Sequence, residues 1–188
     1  MAMTTLDPKT ALIVVDLQKG IISSPVVHPI GPVIDNAVAL VDAFRAQHLP
    51  VVLVNVDNVA PGRTEQGRRH DDAFPADFTD FIPELDQQAK DIVVTKHTWG
   101  AFATTDLDAR LKTLGVTQVV VVGVATGTGV EATARQAYEL GFNVTLAVDA
   151  MTDTRAEAHD YSIRNVFPRL GETATTKELV HLLALRTA

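Results

Sequence analysis

Residues 118–149 read QVVVVGVATGTGVEATARQAYELGFNVTLAVD, and the change of period along this stretch decides the fold class. Gln118 to Val122 is a run of valines with no polar alternation, as expected of a strand buried on both faces. Gly123, Gly127 and Gly129 follow where the chain must turn, and Val130 to Leu140 continues with helical spacing. Gly141 falls where a helix C′ glycine would, and Asn143 to Val148 is a second apolar strand. Strand, glycine turn, helix and strand together make a parallel crossover unit.

The same rhythm extends outward. Ala11 to Asp16 (ALIVVD), Val51 to Val56 and Ile92 to Thr95 are further buried-strand candidates, with a weaker one near Thr173 to Thr175. Val33, Ile34, Ala37, Leu40, Val41 and Phe44 recur at helical spacing, and further helices are predicted around Thr105 to Leu114, Ala156 to Phe167 and Lys177 to Leu185. Gly115 is a second C′ glycine, and Thr105 with Asp108 suggests a capping box. These units predict one α/β domain over residues 1–188, a doubly wound parallel sheet with helices on both faces. Ligands of such sheets collect outside the carboxyl ends of the strands, near the topological switch point. One segment breaks the rhythm. Asp57 to Phe81 is polar, has little helical period and is long for a plain connection, so it reads as a lid, a binding loop or an oligomer contact.

Bulk properties exclude several function classes. The chain has 188 residues and no cysteine, so it works without a thiol nucleophile, a disulfide or thiolate metal ligands. Sixteen basic against twenty-three acidic residues leave a net charge of −7, which argues against nucleic acid or an anionic membrane as partner. No apolar run approaches the roughly 18–20 residues of a membrane span, and residues 1–10 lack the pattern of a secretory signal, so a cytoplasmic location is expected. The six histidines show no H-x-H or H-E-x-x-H pairing, so no metal is expected, and neither a G-x-S-x-G elbow nor a Walker loop is present.

Three strand ends carry candidate chemistry. The first closes on Asp16-Leu17-Gln18, where Asp16 is either a carboxylate at the mouth of a site or the cap of a turn. The third runs into Lys96-His97-Thr98-Trp99-Gly100-Ala101-Phe102, where Lys96 is a site cation or a solvated terminus. Trp99 and Phe102 line a pocket together with Gln18, or pack in the core or at an interface. The fourth enters the glycine turn, whose amides would favour an anion or a developing oxyanion at a helix N-terminus; the alternative is a tight turn that needs positive φ. A dinucleotide reading also exists, because Gly127-x-Gly129-x-x-Ala132 matches G-x-G-x-x-A and Asp149 ends the next strand about twenty residues on. Two details oppose it: Gly127 follows its strand at a distance, and the motif falls on the fourth strand, not the first.

With these residues placed, the chain resembles the isochorismatase-like hydrolases of the cysteine hydrolase superfamily, from Ala11 to Arg169, most specifically in GVATGTGVEATARQAYELGF. The resemblance implies a Rossmann-like parallel sheet of about six strands, a small-molecule substrate, no cofactor and a homo-oligomer, dimer or tetramer. It implies a catalytic aspartate at Asp16 and lysine at Lys96, and puts Gly129 where the family carries its nucleophilic cysteine. It also implies a cis peptide at Val124–Ala125, within an anion-binding loop of Val124, Ala125, Thr126, Thr128 and Gly129. Asn55-Val56-Asp57-Asn58 stands where metal-holding members keep an aspartate and histidines, so again no metal is implied. Without the thiol, amide hydrolysis through a covalent intermediate is closed. Hydrolysis of a vinyl ether needs only a general acid and a water, and Asp16 is the candidate acid. Two alternatives from other classes are a binding protein without catalysis on the same scaffold and the dinucleotide-binding reading.

Overall fold

Valine-rich strands with no polar face can be covered only from both sides, and the computed structural model shows that arrangement. It describes residues 3, 5–57, 60–65 and 74–187. The strands are β1 (Thr10–Val15), β2 (Val51–Val56), β3 (Ile92–Lys96), β4 (Gln118–Val124), β5 (Asn143–Thr152) and β6 (Glu172–Ala174). All neighbours pair in parallel, in the order β3-β2-β1-β4-β5-β6. The order reverses between β1 and β4, which is the switch point of a doubly wound sheet.

The helical segments are α1 (Lys19–Ile22), α2 (Ile30–Ala46), α3 (Leu107–Thr113), α4 (Glu131–Glu139), α5 (Ala156–Tyr161), α6 (Phe167–Leu170) and α7 (Thr176–Ala184). Side chains of β1 alternate between two cores. Ala11, Ile13 and Val15 meet α3, α4 and α6 through Leu107, Leu111, Ala134, Ala137 and Phe167. Leu12 and Val14 meet α2 and α7 through Leu40, Phe44, Leu179 and Leu183. Each of the valine, leucine, isoleucine and phenylalanine side chains taken fully out of water stabilises the fold by about 1.5–3 kcal/mol, the alanines by less. Among the described residues no helix is long and apolar enough to cross a membrane.

All six predicted strands and the predicted helices are present, with four local corrections. First, β5 does not stop at Asp149. The register jumps from Val121↔Leu146 to Gly123↔Met151, so a bulge carries the strand on to Thr152. Second, α4 is preceded by a wide turn with π-helical bonding over Thr126–Val130. The predicted helix Ala156 to Phe167 is likewise broken by such a turn at Ser162–Val166 before α6. Third, Thr105 and Asp108 form no capping box: Thr105 Oγ1 donates to the carbonyl of Ala101, and Asp108 pairs with Lys112 one turn on. The reciprocal box stands at Thr175 and Glu178, opening α7. Fourth, the end of Asp57 to Phe81 is anchored to the domain. Phe81 bridges Gln18 in antiparallel fashion, and Lys19 pairs with Asp77 and Asp80, so the end of this loop lies on the segment after β1. Residues 58–59 and 66–73 of that loop lie outside the described residues. Gly115 and Gly141 take φ of 70° and 88°, as helix-ending glycines do.

Candidate active site

The sheet order explains how Asp16 and Lys96, eighty residues apart in sequence, come together. Asp16 follows β1, and Lys96 ends β3 two strands away, with Val56 of β2 opposite Lys96. Two strand spacings amount to about 10 Å, a gap that a long lysine side chain helps to close. Lys96 Nζ donates to Asp16 Oδ2 at 2.8 Å and to the carbonyl of Thr98 at 3.2 Å. The pair is enclosed: Asp16 is 5% exposed and Lys96 2%.

Asp16 takes φ of 52°, a left-handed conformation that aspartate tolerates better than a branched residue, and its N–H donates to Val54. Its Oδ1 is buried and has no partner among the described residues. Burial raises the Asp16 pKa to about 6, against the lowering effect of the Lys96 charge and hydrogen bond. Desolvation therefore wins over the ion pair. Carbon-detected NMR of the Asp16 carboxyl is expected to show a midpoint near 6, and a midpoint at the ordinary value of 3.8 would remove the case for a proton donor. Because this folded-state pKa lies above the unfolded one, the associated stability is fully present below about pH 4. It is lost as pH rises through about 6. The stability of wild type relative to Asp16→Asn should fall across that window.

The glycine turn closes the third side. The Val124–Ala125 peptide is cis, as the resemblance implied. A Cβ built on Gly129 would stand 3.2 Å from Asp16 Oδ2 and 3.1 Å from Val15 Cγ1, so this glycine faces the Asp16 carboxylate directly. Asp16, Lys96 and Gly129 thus share one locus at the switch point between β1 and β4.

Other expected site residues take different parts. Phe102 is buried in the core with its ring tilted against that of Phe142, centroids 5.9 Å apart, so it packs the fold. Trp99 is 64% exposed on the surface. Gln18 is fully buried and spends its amide on the backbone: its Nε2 donates to Val56 and Phe78, and its Oε1 accepts from the Val56 N–H. Its work is to hold the loop to the sheet. The amide of Thr128 is committed to the carbonyl of Ala125, as is that of Val130, and the Thr126 side chain points into the protein. The anion-binding capacity of the loop is correspondingly smaller than the sequence suggests. Lys96 is tied to Asp16 and Thr98, which makes it a charge partner of the acid more than an anchor for substrate.

The dinucleotide reading loses its two supports. Gly127 donates its N–H to Asp153 Oδ2 at 2.7 Å, and Asp149 Oδ1 accepts from the N–H and hydroxyl of Thr176 at the start of α7. The Gly127 N–H is thus not free for a pyrophosphate, and one Asp149 oxygen is spent on the start of α7. Asp57 Oδ1 and His97 Nδ1 form an exposed pair at 2.5 Å, and no group of three His, Asp or Glu suited to a metal occurs among the described residues. The sequence reading missed Asp153 and His159, which stand behind the turn. Only the buried strand end that carries Asp153 could have signalled them, and the bulge hides it.

A doubly wound parallel sheet with a buried aspartate–lysine pair at its switch point, closed by a turn with a non-proline cis peptide, defines a narrow class of α/β proteins. The isochorismatase domain model matches residues 10–178, and the chain belongs to that family of hydrolases. It is 40% identical to YwoC of Bacillus subtilis, an uncharacterised isochorismatase family protein, over 92% of this chain and 93% of that protein. It is 30% identical to Nicotinamidase 3 of Arabidopsis thaliana, over 83% of this chain and 79% of that one. Its fold superposes on an isochorismatase family protein from Burkholderia thailandensis with a TM-score of 0.90 at 37% identity, covering 96% of this chain and 98% of the other.

Proposed function

We propose that the chain is a hydrolase of a small enol ether, such as isochorismate, acting without cofactor and with Asp16 as general acid. The observation that carries this reading is the Asp16 carboxyl itself, enclosed, raised to about 6 and facing Gly129, which offers no nucleophile. A protonated carboxyl is a proton donor, and with glycine in the place of the thiol the attacking group in this reading is water.

In this mechanism the Asp16 proton goes to the terminal carbon of the enol ether, and the ether-bearing carbon becomes an oxocarbenium ion. Water adds to that carbon and gives up a proton that recharges Asp16. The hemiketal then collapses to a ketone and an alcohol, so one water is consumed for two products. Lys96, 2.8 Å from Asp16 Oδ2, stabilises the carboxylate left after the first transfer. Burial and the lysine charge act in opposite directions, which holds the acid near neutrality in strength and lets it both give and regain a proton.

The reading takes a small-molecule substrate and a cytoplasmic homo-oligomer of two or four chains; sedimentation would size it. Turnover of a panel of enol ethers and amides by the purified protein tests the function, and release of ketone from an enol ether is the expected result. Turnover of none would favour the second reading, a binding protein whose scaffold has lost its nucleophile at Gly129.

A cysteine at position 129 is expected not to restore an amidase. The new Cβ would press on Val15 and Asp16, which must give by a few tenths of an ångström. The Asp16 beside it is the acid of another reaction, poised by burial. Nicotinamide hydrolysis by Gly129→Cys should stay within background. A rate comparable to wild-type enol ether turnover would mark the chain as an amidase missing one atom group.

A further inference from the structure

We infer that Asp153 and His159 are positioning residues that hold the 126–130 turn against Asp16, an inference that rests on the hydrolase reading above. The two glycines of this turn face opposite ways. A Cβ on Gly129 would meet Val15 and Asp16, whereas one on Gly127 would meet Ala158 at 3.1 Å and Asp153 Oδ2 at 3.3 Å. The turn thus lies between two carboxylates, Asp16 in front and Asp153 behind, and is hydrogen-bonded to the second.

The rear attachment is built from buried polar groups. Asp153 directly follows β5, accepts from the Gly127 N–H at 2.7 Å through Oδ2, and accepts from the Arg155 N–H through Oδ1. His159 on α5 is hydrogen-bonded through Nδ1 to the Thr126 hydroxyl at 2.8 Å, and both residues are buried. Thr126 is the second residue after the cis bond, so this tether fixes the entry of the turn. His159 is backed in turn by the His28 ring, 4.6 Å away between centroids, and His28 Nδ1 is 3.0 Å from Thr152 Oγ1. The N–H of Val27 donates to the carbonyl of Asp153. Residues after α1, the end of β5 and α5 therefore converge on Thr126 and Gly127, while the face of the turn that meets Asp16 is left to Gly129. Burial and the neighbouring His28 lower the His159 pKa, opposed by Asp160 and Asp153, which favours the neutral ring.

Holding reacting groups in place is worth far more to kcat than to ground-state binding, since a displacement of about 1 Å can cost about 100-fold. With isochorismate as probe, His159→Ala and Asp153→Ala should each lower kcat by about 10- to 100-fold while KM stays within about threefold. His159→Asn places a carboxamide atom where Nδ1 stands and should recover most of the loss. In parallel, nitrogen–proton spectra of the full-length protein should show the amides of Gly127 and Gly129 displaced in both alanine variants and near wild type in His159→Asn. Unmoved Gly129 amides, or full kcat despite displaced amides, would overturn the inference. If wild type turns over no enol ether, the hydrolase reading falls on its own, and the amide spectra still decide whether these residues hold the turn.

Discussion

Replacing Asp16 by asparagine is expected to lower enol ether turnover by about 100-fold or more, with the fold intact. Asparagine keeps the shape and still offers an oxygen to Lys96, but it cannot give a proton. Its neutrality is no new burden, because below about pH 6 the native Asp16 is itself uncharged beside Lys96. The variant therefore imitates the protonated resting state in everything except the labile proton. At pH 5, inside the window where wild type loses stability relative to the variant, Asp16→Asn should unfold no earlier than wild type, so lost activity reports chemistry and not collapse. The wild-type kcat/KM should fall tenfold per pH unit above about 6, as the acid form of Asp16 disappears. Near-normal turnover by Asp16→Asn would defeat the mechanism outright.

The pairing of Asp16 with Lys96 was legible from two simple rules taken together with the resemblance. Apolar runs mark buried parallel strands, and parallel strands bring their carboxyl ends to one edge. Gly129 was legible only through the resemblance, since a glycine-rich turn by itself has many uses. What escaped depended on the irregular parts. Trp99 and Phe102 were read alike, yet one is exposed and the other is core, because a non-periodic loop gives no sign of which side chain turns inward. Asp149 looked like the end of a strand, but Ala150 and Met151 continue past it through the bulge, so Asp153 becomes the strand-end acid. His159 had no recognisable spacing to any partner, because its role arises only when the wide turn at 126–130 meets α5. The capping box at Thr175 and Glu178 is different: its T-x-x-E pattern was there to be read.

Gly123→Ala should have the largest effect on stability, because it strikes the strand junction on which the site is built. Gly123 pairs with Val15 across β4 and β1, and a Cβ built on it would lie 2.0 Å from the Val15 carbonyl oxygen. That distance is far inside contact, and the obstacle is backbone, which cannot rotate away. The residue also has φ of 115°, which side-chain-bearing residues rarely adopt. Accommodation would require β4 to move off β1, at a cost of about 3 kcal/mol or more in a packed core. For a chain of this size that corresponds to a fall of roughly 10 °C in Tm. Gly115→Ala is the control: it has φ of 70° with nothing within 4 Å of the added Cβ, so it should cost only about 1–2 kcal/mol. The site would report the same displacement. Val15 immediately precedes Asp16 and β4 leads into the 126–130 turn, so separating the strands lets water reach the carboxyl. In whatever fraction of Gly123→Ala stays folded, the Asp16 midpoint should drop from about 6 toward the ordinary carboxylate value. A Tm within two or three degrees (about 1 kcal/mol) of wild type would show that the strands can pass with a side chain between them.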